Sequence, residues 1–419
     1  MENKSVVNKN VLLINLGWEQ QSYIEQLFQL GCNIFAVNHL DYVQDNRIID
    51  TLISDYFDIE NIIEFAHINH IDAVIADQCD HAIYAAAVVS EVLNCQNISV
   101  EHALLTTNKL LQRERIKLQD PAIKQPDYAL CLTPQQAKQF AIQIGYPIIL
   151  KPVDSRGSFG VSKVCNDDEV MTAFVSALNN SPARQVLVEE FIIGTQITVD
   201  GYVDLKQGAQ SLALACKMMV DEQTQVAIGI SYPGNLPSLL YKQAMDNNIQ
   251  VVNALGLKFG MTHAEYMIDR HDDIYLIEIA NRGGGCFTST DILHSVTGID
   301  FANKLVTDCV GLENTIDYKQ VAATPTDLLF FYIPIDGQLE SVTYTDELTS
   351  LEGLVNYKVM INEGDYIDAV SNDANRHGFI IIHEKRNNNT DKKSQLITKI
   401  LSAIQFTMAD GRVTNPVVY

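Results

Sequence analysis

The chain has 419 residues, 47% hydrophobic and 19% charged, with a formal net charge of −23. That length exceeds one typical core and calls for two or three domains. The acidic balance argues against nucleic acid and anionic membrane surfaces as partners, because phosphate groups are bound by clustered Lys and Arg. No apolar run approaches the ~20 residues of a membrane span, and Val11–Leu16 is too short for a signal peptide. Eight scattered cysteines without CxxC or Cys/His spacing read as reduced thiols of a cytoplasmic protein.

In chain order, Val11–Gly17 reads as a buried strand, Glu19–Leu30 as a helix, Cys32–Asn38 and Asp72–Ala76 as strands, and His81–Leu93 as a helix. This alternation predicts a small parallel α/β domain. Gly17 lacks the GxGxxG context of a dinucleotide site. Asp77 and Asp80 follow a strand's carboxyl end, where they either meet a ligand or cap the next helix. Another helix opens at Thr107 or Asn108 and runs to Leu118. Pro121 and Pro126 mark a linker, and Pro134–Ile144 reads as a helix.

Lys151 closes the apolar run Tyr146–Leu150 and stands at a strand end. Asp154-Ser155-Arg-Gly157-Ser158-Phe-Gly160 is a turn whose backbone N–H groups could converge on phosphate oxygens, though it is no Walker A loop. A helix at 167–178 and strands at 186–194, 197–203 and 211–220 follow, then a loop and helix over Pro237–Leu255. Beyond Thr324 the sequence predicts strands at Asp327–Pro334 and Gly378–His383, a loop over Lys385–Lys393 and a helix over Lys392–Phe406.

The stretch Met261–Gly285 reads as a β-hairpin with the loop Arg270-His-Asp-Asp273. Pairing Asp269 with Ile274 sets Glu265 opposite Glu278, on one face of the sheet. Facing like charges destabilise a hairpin unless a hard cation lies between them, and carboxylate oxygens are ligands for Mg²⁺. Arg282 and the run Gly283–Gly285 follow at once. Two acids, an arginine and a triple glycine point to phosphoryl or acyl-phosphate chemistry.

These pieces together resemble the ATP-grasp superfamily of carboxylate–amine ligases. The motifs are Asn108-Lys109, Lys151, the Gly157–Gly160 loop, Val188-Glu-Glu-Phe-Ile192, Glu265 and Glu278-x-x-x-Arg282. The resemblance implies an α/β fold, α+β in its later parts, with a Rossmann-like parallel domain at 1–105. It further implies an ATP-grasp domain at 106–320 with a mobile lid near 140–205, and a small C-terminal domain at 321–419. It assigns Lys109 and Lys151 to the phosphates of ATP, and Ser155, Gly157 and Ser158 to the lid over them. Glu189, Glu190 and Ile192 fall at the adenine hinge. Gln196 stands where the family usually has a ribose-binding acid.

Glu265 and Glu278 match the ligands of Mg²⁺, with Mn²⁺ as an alternative ion. Ala280 replaces a frequent Asn, and Asn281 follows one place later. Arg282 matches the group that steadies the acyl-phosphate and the tetrahedral species. His263, Gly283 and Gly284 are expected at the substrate. The glycine run and the sequence Gly256–Glu265 favour the L-amino-acid ligase branch, as do Gly364-Asp365 and Arg376-His-Gly378. The implied substrates are ATP, an amino acid and an amine, and family members are often homodimers. A purine- or carbamate-forming ligase of the same fold is the alternative, and a non-catalytic ATP-binding relative is a third reading. Intact Glu265, Glu278, Lys151 and Arg282 argue against the third.

Overall fold

A computed structural model describes residues 8–39, 45–155, 157–219, 226–318, 324–370, 376–383 and 390–418. The N-terminal part contains β1 (Asn10–Ile14), α1 (Gln21–Gln29), β2 (Asn33–Asn38), β3 (Ile48–Ile53), α2 (Ile59–Ile68), β4 (Ala73–Ile75) and α3 (Asp80–Leu93). Its four strands form a parallel sheet in the order β3-β2-β1-β4. The central strands are apolar throughout because helices cover both faces. The strand β3 and the helix α2 escape a reading by hydrophobic runs. In β3 the apolar Ile49 and Ile53 are exposed and Asp50 and Thr51 interrupt the run.

Next come α4 (Val100–Thr107) and α5 (Lys109–Gln119). Asn108 ends the first and caps the second, accepting the Leu111 N–H at 3.1 Å. A smaller α/β unit follows: β5 (Tyr128–Cys131), α6 (Pro134–Ile144), β6 (Ile148–Pro152), β7 (Ser162–Val164), α7 (Val170–Asn179) and β8 (Val186–Glu190). Its antiparallel sheet has the order β5-β8-β6-β7 and its own apolar core. Thr133 closes a capping box on α6.

The largest sheet begins with β9 (Gly194–Asp204), β10 (Gly208–Met219) and β11 (Ala227–Tyr232). After α8 (Ser238–Leu255) it takes in β12 (Gly260–Asp269) and β13 (Ile274–Ala280). A π-turn (Thr288–Ile292), α9 (Leu293–Thr297) and α10 (Phe301–Cys309) lead to β14 (Thr326–Tyr332), β15 (Gly337–Tyr344), β16 (Leu354–Val359), β17 (Tyr366–Ile367) and β18 (Gly378–His383). The chain ends in α11 (Thr390–Ser402), β19 (Ile404–Met408), β20 (Val413–Thr414) and β21 (Val417–Val418). The sheet order is β13-β12-β9-β10-β11-β14-β18-β16, with β21 added on β14. Strands from both sides of residue 321 thus share one sheet.

The helix expected over Lys392–Phe406 stops at Ser402. Ile404, Phe406 and Met408 are buried at every second position and pair with β15, which is strand periodicity. The loop expected over Lys385–Lys393 lies in part outside the described residues, and from Thr390 it is already α11. Val220, expected to end a strand, also lies outside them.

Candidate active site

The site is built on one face of the large sheet. Along β12, Ala264, Tyr266 and Ile268 point into a core with Val251, Val252 and Leu255 of α8. The alternating residues His263, Glu265 and Met267 face a cavity of about 710 Å³. The same alternation places Gln196 of β9 and Lys217 of β10 on that cavity.

Glu265 does pair with Glu278, but by a different route from simple counting. Ile274 pairs with Ile268, not with Asp269, and the register shifts between Tyr266 and Glu265. The extra residue in β13 is a β-bulge. It lets both Leu276 and Ile279, three apart, join the core beneath, while Glu278 still meets Glu265 above it. Strict alternation would have put Leu276 and Glu278 on one face.

Each acid has a lysine partner. Lys217 Nζ lies 2.7 Å from Glu265 Oε1, and Gln196 Nε2 donates to Glu265 Oε2 at 2.9 Å. Lys109 Nζ lies 3.0 Å from Glu278 Oε2 and donates to the Ser155 carbonyl at 2.8 Å. Burial pushes the Glu278 carboxyl up, but the charges of Lys109 and Lys151 outweigh it and hold the group at about 2. Burial likewise disfavours the Lys109 ammonium, yet Glu278 and Asp80 raise it. Gln196, which stands where the family usually has a ribose-binding acid, borders the cavity and is hydrogen-bonded to one of the two facing acids.

Glu189 is the centre of a buried ion group. Its Oε1 accepts from Arg113 Nε at 2.9 Å, and its Oε2 lies 2.6 Å from Lys151 Nζ. All three residues are under 5% exposed. Burial opposes the Glu189 charge, and Arg113 and Lys151 more than restore it. Burial also lowers Lys151. Arg113 NH2 reaches the Ile277 carbonyl at 2.6 Å, tying α5 to the bulged strand. The Glu189 side chain is thus an anchor for Lys151, while Glu190, Ile192, Ser155, Gly157 and Ser158 border the cavity. Gly157 and Ser158 both have positive φ, +59° and +60°.

Asp77 and Asp80 neither cap α3 nor stand free for a ligand. Asp80 takes the Arg282 guanidinium at 2.7 and 3.2 Å. Asp77, 1% exposed, accepts from the Gly283 N–H at 2.6 Å, Tyr23 Oη at 2.5 Å and Ser289 Oγ at 2.7 Å. Glu19 accepts the Cys286 N–H at 2.6 Å. The parallel domain therefore grips the arginine–glycine loop from behind. Gly283 and Gly284, expected at the substrate, are buried against this clamp; Gly285 and Cys286 border the cavity. A Cβ on Gly283 would lie 2.2 Å from Ser289 Cβ, so only glycine fits there. His263 faces the cavity, with Nδ1 2.7 Å from Asp200, which also accepts from Tyr232 Oη at 2.6 Å.

Lys109, Lys151, Glu265, Glu278 and Arg282 all border the one cavity. Sequence reasoning missed Lys217, a lone charge in the apolar run Leu212–Met219, and that isolation was its signal. It also missed the far wall, where Ile230, Leu328 and Phe330 line the cavity beside Arg376. Among the described residues no three His, Cys, Asp or Glu side chains group as a metal set. The Glu265–Glu278 pair supplies oxygen donors alone, which suits a hard divalent cation completed by phosphate oxygens.

Residues 144–291 match the ATP-grasp domain family, and residues 329–409 match L-amino acid ligase C-terminal domain 2. The fold is similar to that of an L-amino acid ligase from Bacillus licheniformis, at 16% identity and TM-score 0.80 over 96% of this chain and 99% of that one. It is also similar to phosphoribosylglycinamide synthetase from Anaerococcus prevotii, at 17% identity and TM-score 0.73 over 96% and 100%. A third is the biotin carboxylase domain dimer of Hydrogenobacter thermophilus 2-oxoglutarate carboxylase, solved with MgADP, ADP and bicarbonate. That match has 14% identity and TM-score 0.73 over 98% and 91%. The chain thus contains an ATP-grasp domain, followed by a segment that matches the C-terminal domain of L-amino acid ligases. Among the described residues no helix is long and apolar enough to cross a membrane.

Proposed function

We propose that the protein is an ATP-dependent ligase that joins the carboxylate of an amino acid to an amine through an acyl-phosphate, releasing ADP and phosphate. The observation that carries this reading is the Glu265–Glu278 pair on one cavity with Lys109, Lys151 and Arg282. A substrate carboxylate oxygen attacks the γ-phosphorus of ATP, and the bond to the bridging oxygen breaks to give ADP. The amine then attacks the acyl carbon, loses a proton, and phosphate leaves.

The chain's own groups position charge and exclude water; no side chain forms a covalent intermediate. Lys109 and Lys151 offset phosphate charge. The Ser155–Ser158 turn covers the phosphates, and Glu190 and Ile192 border the nucleotide base. Arg282, held by Asp80, faces the negative charge that develops on the acyl oxygen and phosphate. Glu265 and Glu278 would hold Mg²⁺, which neutralises phosphate charge when bound. The purine-type alternative draws on the likeness to phosphoribosylglycinamide synthetase, but the matched C-terminal domain favours the amino-acid reading.

The test is phosphate release from ATP and Mg²⁺ with all pairs of amino acids. Release that depends on an amino acid is the expected result. Release that requires bicarbonate and an amino-imidazole instead would overturn the reading in favour of the alternative. Glu278→Gln is expected to abolish ligation with the fold intact by circular dichroism; near-normal turnover would remove the metal assignment.

A further inference from the structure

A second cavity, of about 380 Å³, shares a segment of chain with the active site. The π-turn serves both: Thr288 borders the active site, and Thr290 and Asp291 border the second cavity. Helix α1 of the parallel domain forms the facing wall, and α9 and the start of α10 complete the lining. The volume falls in the range of small-molecule sites, about 300–1,000 Å³. Ala302 is the one apolar residue of that lining. The cavity therefore suits a polar occupant and not a hydrocarbon.

The fixed charges of the cavity do not balance. Arg47 directs its fork at Asp45, Glu25 and Gln21, at 2.6 to 3.0 Å. Asp291 and Asp300 have no ion-pair partner among the described residues. Asp291 accepts from Asn356 Nδ2 at 2.9 Å, and Asp300 from Gln26 Nε2 at 3.0 Å and the Asn303 N–H at 2.8 Å. Burial pushes the Asp291 carboxyl up; Asn356 and His294 act against this, and the charge of Asp300 adds to the rise. Two acids that repel each other in a part-buried cavity are relieved by a cation. Among the described residues no three acids converge as a metal set. Charges spread along a cavity match an extended organic cation, and the amide oxygen of Gln21 and the hydroxyl of Ser22 add acceptors for its N–H groups.

Both walls of this cavity end on the clamp behind Arg282. Tyr23, on α1, donates to Asp77 at 2.5 Å, and Ser289, on the π-turn, donates to the same carboxylate at 2.7 Å. Asp77 in turn accepts the Gly283 N–H at 2.6 Å. Cys286 and Phe287 join the glycine loop to the π-turn with φ of +55° and +59°, a region that side chains other than glycine enter at a cost. A group that bridges α1 and the π-turn holds this strained link from the side away from the glycine loop.

We propose that the cavity is an effector site for a small organic cation with two or more ammonium groups, an aliphatic diamine or polyamine. Its ammonium groups sit at Asp291 and Asp300. Its binding steadies the π-turn and, through Ser289 and Asp77, the loop that carries Arg282, so it activates. The binding step stands apart from the ligase reading; the effect on turnover rests on it.

The experiment titrates putrescine and spermidine into the full chain and reads binding by calorimetry and by Trp18 emission. Trp18, the single tryptophan, packs on Phe287 with ring centroids 4.9 Å apart. Saturable binding is expected, weakened about 10- to 100-fold in Asp291→Asn, the weight of a hydrogen bond to a charged group. His294→Lys changes an exposed residue and brings a fixed ammonium to the cavity. It is expected to abolish binding with the fold intact by circular dichroism. Binding that does not saturate, or that is unchanged in both variants, assigns the amines to the acidic surface at large and overturns the site. Equal binding of glutamate, or displacement of spermidine by an equal concentration of Mg²⁺, overturns the ligand class.

The coupling has its own readout. Amide hydrogen exchange across 283–292 is expected to slow when spermidine binds the unsubstituted protein, and to stay unchanged in Asp291→Asn. Exchange that does not respond in the unsubstituted protein overturns the link to the clamp. If no amino acid supports phosphate release, the ligase reading fails, and binding and exchange still decide the site. Where phosphate release is measured, spermidine is expected to raise kcat in the unsubstituted enzyme and not in Asp291→Asn. An unchanged or lowered kcat overturns the activating role.

Discussion

Arg282 is held at two of its nitrogens by Asp80, on the first turn of a helix about two hundred residues away in sequence. Burial works against the guanidinium charge, and Asp80 more than restores it. Asp80 in turn is kept ionised against burial by Arg282. Arg282→Ala is expected to lower kcat by roughly 10²- to 10³-fold, the loss of a group placed at developing charge, with ATP affinity little changed. A pure affinity defect would contradict the role given to Arg282. Asp80→Asn keeps the shape but loosens the pair, and should lower kcat in the presence of Arg282 only. In an Arg282→Ala background it should add little, because residues that act as a unit are not additive. Effects that multiply would show that Asp80 acts by another route. Glu189 behaves differently: it is buried between Arg113 and Lys151. Replacing it with Gln leaves two buried cations short of a counter-charge, a loss of about 3–5 kcal/mol, measurable by denaturant unfolding.

At the scale of the element, the bulged hairpin shows what could be read from the residues and what could not. The facing glutamates were legible, because two short apolar runs and a polar loop define a hairpin. The shift by one residue was not, because nothing in Ile274–Ala280 announces which residue a bulge adds. Leu276 and Ile279 both needed burial, and the strand met that need with one extra residue. Helices with clear caps, such as Pro134–Ile144, were legible to the residue. The helix before β19 was extended too far because a short period-2 run resembles a helical stripe until its partner strand is known. Motif order picked out Lys109, Lys151 and Arg282, which border the same cavity as the facing acids. The roles of Asp77 and Asp80 depend on a contact between distant segments, which no local pattern carries. The glycine loop offers a direct test. Gly283→Ala must displace Ser289 or Asp77, so a loss of about 1–3 kcal/mol is expected in thermal unfolding. An unchanged melting temperature would mean the clamp yields freely.

For the whole molecule, the acidic side chains that matter most are held ionised by neighbouring cations. Burial raises Glu278, Glu189 and Asp80, and in each the cations win, so every one of these carboxyls titrates below its unfolded value. A depressed folded value gives stability that is complete above the unfolded pKa. It is then lost as pH falls through the folded one. For Glu278 that window runs from 4.5 down to about 2. Unfolding free energy should therefore hold steady near neutrality and fall as the medium is acidified below about 4.5. Glu278→Gln should flatten part of that fall; an unaltered acid slope would separate Glu278 from the effect. The resemblance implies a boundary at 321; strands on both sides of it share the main sheet, and the long-range pairing of β11 with β14 leaves no trace in composition.

That shared sheet makes the two halves inseparable in practice. A chain halted near 318 would leave β11 with a naked row of amide donors and acceptors, an invitation to pair with a copy of itself. Such a fragment should precipitate or form higher-order species during expression, even though it keeps every residue assigned to the nucleotide and the metal.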